Sequence, residues 1–391
     1  MTPGARIAAA AGLLDEIQAG VPAERVLTNW ARASRYAGSK DRAAVRDLVY
    51  DALRRRRSLA WVGGAETGRG LMLGALRLSG SDPATLMTGE GHALAPPRAE
   101  ETGRDLAEAP QGIRLDLPDW LVPRFSESLG DDLDAACKTL AARAPVTLRV
   151  NLRKATRDAA QGALAAAGVE TAVDPDVRTA LQVTAGTAKI AQSEPYLSGL
   201  VELQDASSQA AVLRLPLGDG DRVLDYCAGG GGKTLAMGGL AALKLFAHDA
   251  DPRRMADLPA RAGRAGLRVT LLDDPATRDP YDLVLVDAPC SGSGTWRRTP
   301  DAKWRLSPDR LAQLLALQDR ILDSAAPLVA PTGHLAYATC SVLREECDER
   351  VAAFLTRHPG WEVTDMFSIL PRAAGDGFFQ AILGRRTPVG D

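Results

Sequence analysis

Histidine and cysteine are scarce in this chain, with four of the former and five of the latter in 391 residues. No two of the cysteines (Cys137, Cys227, Cys290, Cys340, Cys347) stand in a CxxC pair, so neither a disulfide framework nor a zinc site is expected and no metal is assigned. Reduced thiols fit the cytoplasm. Charge of one sign is missing too: 47 Lys and Arg against 49 Asp and Glu leave a formal charge of −2. Without a global basic field, any polyanion site must be a local patch. No run of about 18 apolar residues and no signal-peptide pattern appears, so a membrane location is not expected. Aromatic residues make up 5% of a composition that is 46% hydrophobic, ordinary for a soluble globular protein, and the length allows two or three domains.

What is present begins with helical spacing. Ile7, Leu13, Leu14 and Ile17 recur on one face, then Val45, Leu48, Val49, Ala52 and Leu53, which predicts an all-helical region from about Arg6 to Trp61. Residues 63–112 are richer in Gly, Pro and Thr and predict loops, with one helix over Leu71 to Leu78. Another helix is expected from Leu129 to Ala142, ending before Pro145. From Val146 to Val201 a strand, a helix and short β-like runs predict a small α+β subdomain. Beyond Asp221 strands alternate with helices, at 222–226, 243–249, 268–273, 281–287 and 334–338, the mark of a doubly wound α/β sheet. A helix opens at Ser307-Pro308, and 361–366 and 377–384 form a closing pair with one strand antiparallel. The divisions expected are 1–140, 145–203 and 204–391.

Two of the cysteines stand just past buried strands, in Asp287-Ala288-Pro289-Cys290-Ser291-Gly292 and Thr339-Cys340-Ser341. In an open α/β sheet ligands bind beyond the carboxyl ends of the strands, so two thiols at that edge suggest shared chemistry. Upstream, the strand at 222–226 runs into Cys227-Ala228-Gly229-Gly230-Gly231-Gly232-Lys233-Thr234 and an Ala/Leu-rich helix, where glycines let the backbone approach a ligand. A Walker A loop would need glycine at the position of Cys227. A dinucleotide site is the closer rival, with Asp249 ending the next strand, but hydride transfer needs no thiol pair.

Together with Gln204-Asp205-Ala206-Ser207-Ser208-Gln209, these motifs match in order and spacing the signatures of a known family. The chain resembles the RsmB/Sun (Fmu) family of S-adenosylmethionine-dependent RNA (cytosine-5) methyltransferases, and its helical N-terminus resembles the NusB-like RNA-binding domain of bacterial members. The resemblance implies a Rossmann-like class I methyltransferase sheet, an RRM-like small subdomain, S-adenosyl-L-methionine as cofactor and ribosomal RNA, specifically 16S rRNA, as partner, handled by a monomer. It assigns the attacking thiol to Cys340, product release to Cys290, and places Lys233 and Asp287 at the cytosine. Cofactor contacts fall on Cys227, Ala228, Gly229, Gly230, Gly231, Gly232, Lys233, Asp249, Asp273 and Asp287, with Asp274 a rival to Asp273. One departure stands out: Gly229 and Gly230 replace the family's Ala-Pro, a change that loosens the loop in the unfolded chain.

The chemistry needs such groups. Carbon 5 of cytosine is a poor nucleophile until a thiolate adds to carbon 6, and an ordinary cysteine is only a few per cent thiolate at neutral pH. For RNA contact, Arg297, Arg298, Lys303 and Arg305 interleave with Trp296 and Trp304, and Arg149, Arg153, Lys154 and Arg54 to Arg57 extend the candidate track. Two alternatives are a catalytically silent RNA-binding assembly factor and a tRNA-directed methyltransferase. A DNA cytosine-5 enzyme is disfavoured because Ser291, not glutamine, follows Pro289-Cys290.

Overall fold

The computed structural model describes residues 1–386 as two units, one of Met1–Arg143 with Trp296–Ser307 and one of Ala144–Thr295 with the chain from Pro308. The helical unit opens with α1 (Pro3–Gln18), α2 (Ala23–Ala33), α3 (Ser39–Arg54), α4 (Arg56–Gly63) and α5 (Gly68–Leu78). Thr2 caps α1 by accepting from the Ala5 N–H at 3.2 Å, and Pro3 supplies a preset first turn. Leu14, Val45, Val49, Leu53, Leu59 and Leu71 form its core. α4 and α5 touch backbone to backbone, because a Cβ on Gly74 would stand 2.0 Å from the Leu59 carbonyl oxygen. The helix expected over 129–142 is broken: Gly130, at φ +51, diverts the chain into a short 3-10 turn before the helix Leu133–Leu140.

In the second unit β1 (Thr147–Val150), β2 (Glu170–Val173), β3 (Ala180–Ala185) and β4 (Val201–Leu203) form an antiparallel sheet in the order β2-β3-β1-β4. β5 (Arg222–Asp225), β6 (Lys244–Ala247), β7 (Val269–Leu271), β8 (Tyr281–Asp287), β9 (Val329–Thr339), β10 (Trp361–Ile369) and β11 (Phe378–Arg385) form a sheet ordered β10-β11-β9-β8-β5-β6-β7. β5 to β9 are mutually parallel, and β11 runs against both β9 and β10. This is the Rossmann-like sheet expected.

Alternation along the strands explains its two cores. Leu224, Val284, Val286 and Tyr337 point to one face, whereas Val223, Leu283, Leu285, Ala336 and Ala338 point to the other. Helices cover both faces, so β8 and β9 read as apolar runs with no polar alternation. Among the described residues no helix is long and apolar enough to cross a membrane.

Candidate active site

The carboxyl edge of the larger sheet has its switch point between β5 and β8, since the chain leaves β5 toward β6 and leaves β8 toward β9. Connections diverging from neighbouring strands open a crevice, and the glycine loop and both cysteine motifs end there. Beyond Asp225 the chain turns through Tyr226 to Gly231 into the helix Gly232–Gly238. Gly231 sits at φ +76, and a Cβ there would lie 2.2 Å from Leu258 Cδ1. Only glycine fits.

Three carboxylates line this edge. Asp249, buried, accepts from the Gly229 N–H at 2.8 Å, from Arg254 at 2.9 Å and from the Asp251 N–H at 3.0 Å. Asp225 Oδ2 accepts from the Thr234 hydroxyl at 2.6 Å, while its buried Oδ1 has no partner among the described residues. Burial, reinforced by the Asp287 charge, pushes Asp225 up to about 7 despite the Thr234 bond. Asp287, closing β8, holds Lys233 Nζ at 2.6 Å, and the ammonium also lies 4.9 Å over the Phe378 ring. Burial alone would lower the Lys233 pKa, but Asp287 and the nearby Cys340 sulfur outweigh it and hold the ammonium above the ordinary lysine range.

Cys290 and Cys340 meet here, their sulfurs 3.5 Å apart. The hydrogen bond from Cys290, aided by the Lys233 charge, lowers Cys340 against burial and the Asp287 carboxylate. The same bond, with burial, raises Cys290. One thiol is therefore poised to ionise and its neighbour to keep its proton. Burial pushes the others the opposite way, Cys137 to about 12 and Cys227 and Cys347 well upward, so Cys340 alone of the five thiols is activated.

Comparison with known proteins bears on what this edge is for. The family described as 16S rRNA methyltransferase RsmB/F matches residues 212–383, and the ferredoxin-like domain of RsmF/B-like methyltransferases matches 117–188. Ribosomal RNA small subunit methyltransferase B of Erwinia tasmaniensis is 30% identical over 398 residues, covering 90% of this chain and 92% of that protein. The chain belongs to the RsmB/F family. The Salmonella arizonae protein of the same name is 35% identical over 282 residues, 68% of this chain; the match spans 66% of that relative, just under two thirds. The crystal structure of PH0851 shares the fold, with a TM-score of 0.77 at 24% identity over 98% of this chain and 99% of that one.

Within this RsmB/F chain, Cys340, Cys290, Lys233 and Asp287 come together at one edge, with the 227–232 loop and Asp249 beside them. Asp273 is exposed beyond β7, whereas Asp274 accepts from the Ala276 N–H at 3.0 Å and caps the following turn.

Three residues of the expected RNA track, Trp296, Arg297 and Lys303, need correction. Arg297 is 1% exposed and its carbonyl accepts from Arg54 Nε at 2.6 Å, so its side chain has no surface to offer a nucleic acid. Trp296 is equally buried, stacked on Phe125 at 5.6 Å, and Lys303 is enclosed, its pKa lowered to about 8 by burial. Trp304 is half-buried and donates to the Leu53 carbonyl at 2.7 Å; Arg298 is half-buried as well. In the small subdomain Arg149 donates to the Gly232 carbonyl, Lys154 to those of Ser198 and Arg264, and Arg153 to that of Gly238. The Arg264 and Gly238 carbonyls end helices, where a cation meets the negative end of the dipole.

Sequence reading missed Glu346, which is fully buried behind the cysteines. It accepts from the Ser291 N–H and hydroxyl and from the Gln318 amide, while Ser293 and Ser341 hydroxyls stand 2.8 Å apart. No local signal separates Glu346 from half-buried Glu345 beside it.

Proposed function

We propose that this chain methylates carbon 5 of a cytosine in 16S ribosomal RNA, with S-adenosyl-L-methionine as donor and Cys340 as nucleophile. The observation that carries the reading is the Cys340 sulfur, 3.5 Å from the Cys290 sulfur at the carboxyl edge of the sheet, where that contact and the Lys233 charge lower its pKa. The relatives' names, ribosomal RNA small subunit methyltransferase B, support ribosomal RNA as the substrate class. Residues 1–140 are read as the RNA-binding helical domain, 145–203 as the small subdomain and 204–391 as the methyltransferase domain.

The donor is a sulfonium with an ammonium and a ribose diol, and the edge that would hold it presents Asp225, Asp249 and Asp287 with a buried orphaned oxygen on Asp225. Carboxylates suit both a cation and a diol, so the residues fit the group. When bound, the donor supplies the methyl. Lys233 and Asp287, paired at 2.6 Å, grip the ring edge and steady the charge that develops during attack. The Cys340 thiolate forms its bond to carbon 6, and electron density moves to carbon 5, which takes the methyl. Carbon 5 then loses its proton to solvent water as the carbon 6–sulfur bond breaks and its electron pair returns to Cys340 as thiolate, while the Cys290 thiol donates its hydrogen bond to the departing sulfur.

Purified protein with 16S rRNA and labelled donor should yield 5-methylcytosine. Bisulfite sequencing of cellular RNA with and without the gene should show one protected cytosine vanish, and unchanged 16S rRNA would overturn the substrate.

A further inference from the structure

Three of the chain's six tryptophans, Trp61, Trp120 and Trp304, open onto one cavity of about 430 Å³ inside the helical unit, with Arg56 and Arg104 on its wall. In a chain with 5% aromatic residues and no net basic charge, this is an unusual concentration of ring faces and cations. The indole N–H groups of Trp61 and Trp304 are already spent on the carbonyls of Asp105, at 2.9 Å, and Leu53, at 2.7 Å. These two rings are thus oriented by the fold and present faces that need no polar partner. The Arg104 guanidinium lies 3.9 Å over the Trp61 ring and that of Arg56 lies 5.4 Å over Trp304.

The run Arg54 to Arg57 divides by role. Arg54 is buried, bonded to Asp51 and to the Arg297 carbonyl, and Arg57 is held by the Leu117 carbonyl and Asp119. Asp119 is thereby neutralised. Arg56 and Arg104 make no ion pair among the described residues; Glu66 is the one carboxylate whose charge reaches Arg56. Two cations remain for a ligand.

We propose that this cavity binds a nucleotide of single-stranded RNA, its base stacked on the tryptophan and guanidinium faces and its phosphate held by Arg56 and Arg104. Stacking on aromatic and guanidinium planes beside a cation is how unpaired bases are held, and a guanidinium fork matches two phosphate oxygens. The aromatic walls distinguish the site from a bare phosphate patch, which would need cations alone. The choice of RNA rests on the methyltransferase reading above, and the site lies on a unit that carries none of the catalytic residues.

The test is fluorescence anisotropy of the full chain with a labelled short single-stranded RNA and the same strand made abasic, across a salt series. Combined R56A and R104A should weaken RNA binding about tenfold or more and flatten the slope of log K against log salt by about 0.7, the value for one phosphate that is no longer neutralised. R25A, on the exposed face of α2, should bind as the native protein. R104K, which keeps the charge and removes the planar guanidinium, should weaken the RNA more than the abasic strand, because it loses the stacking face as well as the fork. Methyl transfer by the double variant should show a raised KM with kcat retained at saturating RNA. Native-like RNA affinity in the double variant would overturn the site, and an equal weakening for RNA and abasic strand would overturn the stacking role. Weakened RNA binding in a protein that methylates no RNA would uphold the site while overturning the methyltransferase reading.

Discussion

Glu346 accepts two hydrogen bonds from Ser291, one from its N–H at 2.8 Å and one from its hydroxyl at 2.5 Å, with no exposure to solvent. It also takes the Gln318 amide at 3.1 Å, and Gln318 in turn donates to the Pro289 carbonyl at 2.9 Å. One carboxylate a short way past Cys340 therefore sets the course of the loop that carries Cys290. The distance between the two sulfurs is a consequence of this buried network.

Replacing Glu346 with alanine strands the Ser291 donors and the Gln318 amide, each worth roughly 1–3 kcal/mol when left unpaired and buried. The expected result is a large fall in the urea midpoint together with a loss of methyl transfer exceeding tenfold. Glu346→Gln keeps the shape but turns an NH2 toward donors, so it should be intermediate in both. A native-like midpoint in the alanine variant would rule the network out as a structural tie.

Cys340→Ala should reduce methyl transfer to background, because no other thiol is both lowered in pKa and at the crevice. Cys290→Ala should instead accumulate a protein–RNA adduct that survives denaturing electrophoresis, since the step that frees Cys340 is impaired. Wild-type turnover in the first variant, or no adduct in the second during turnover, would reassign the two roles.

The pH dependence of single-turnover methyl transfer follows from the same pair. Cys340 must be ionised, so the rate should rise with pH through an inflection lower than that of an ordinary cysteine. Lys233 is held above the ordinary lysine range, which places the falling limb above about 10.4. Removing the Cys290 donor takes away the largest stabilisation of the Cys340 thiolate, so Cys290→Ala should move the rising limb to higher pH. An unmoved limb would mean that Cys290 does not tune its neighbour.

Asp225 titrates near 7 in the folded chain against about 3.9 when unfolded. Between those values the native state holds a proton that the unfolded state has released, so this group's contribution to stability falls as pH rises from about 4 to about 7. Asp225→Asn removes the dependence. Urea unfolding across that window should show the variant gaining stability relative to the native protein as pH rises, and a pH-independent difference between the two would contradict the shift.

Much of this was legible along the chain. The alternation of apolar runs and helices after Asp221 announced the parallel sheet, and cysteines placed just past two of those runs announced two thiols at one sheet edge, where the structure brings them together. Part of the RNA track was misplaced for a physical reason: Arg297 and Trp296 have the residue types of a binding surface, yet local sequence cannot tell an exposed arginine from one enclosed by helices that lie far off along the chain. Arg153 and Lys154 misled in the same way, because cations that end helices and cations that meet phosphates look alike in sequence.

The sequence by itself determined the elements, the parallel sheet and the two thiols at its edge, since strand periodicity and motif order are local properties. Only the tertiary structure decided which thiol is activated, which carboxylate is buried behind it and which arginines remain free, because each depends on neighbours distant in the chain and on the water they exclude.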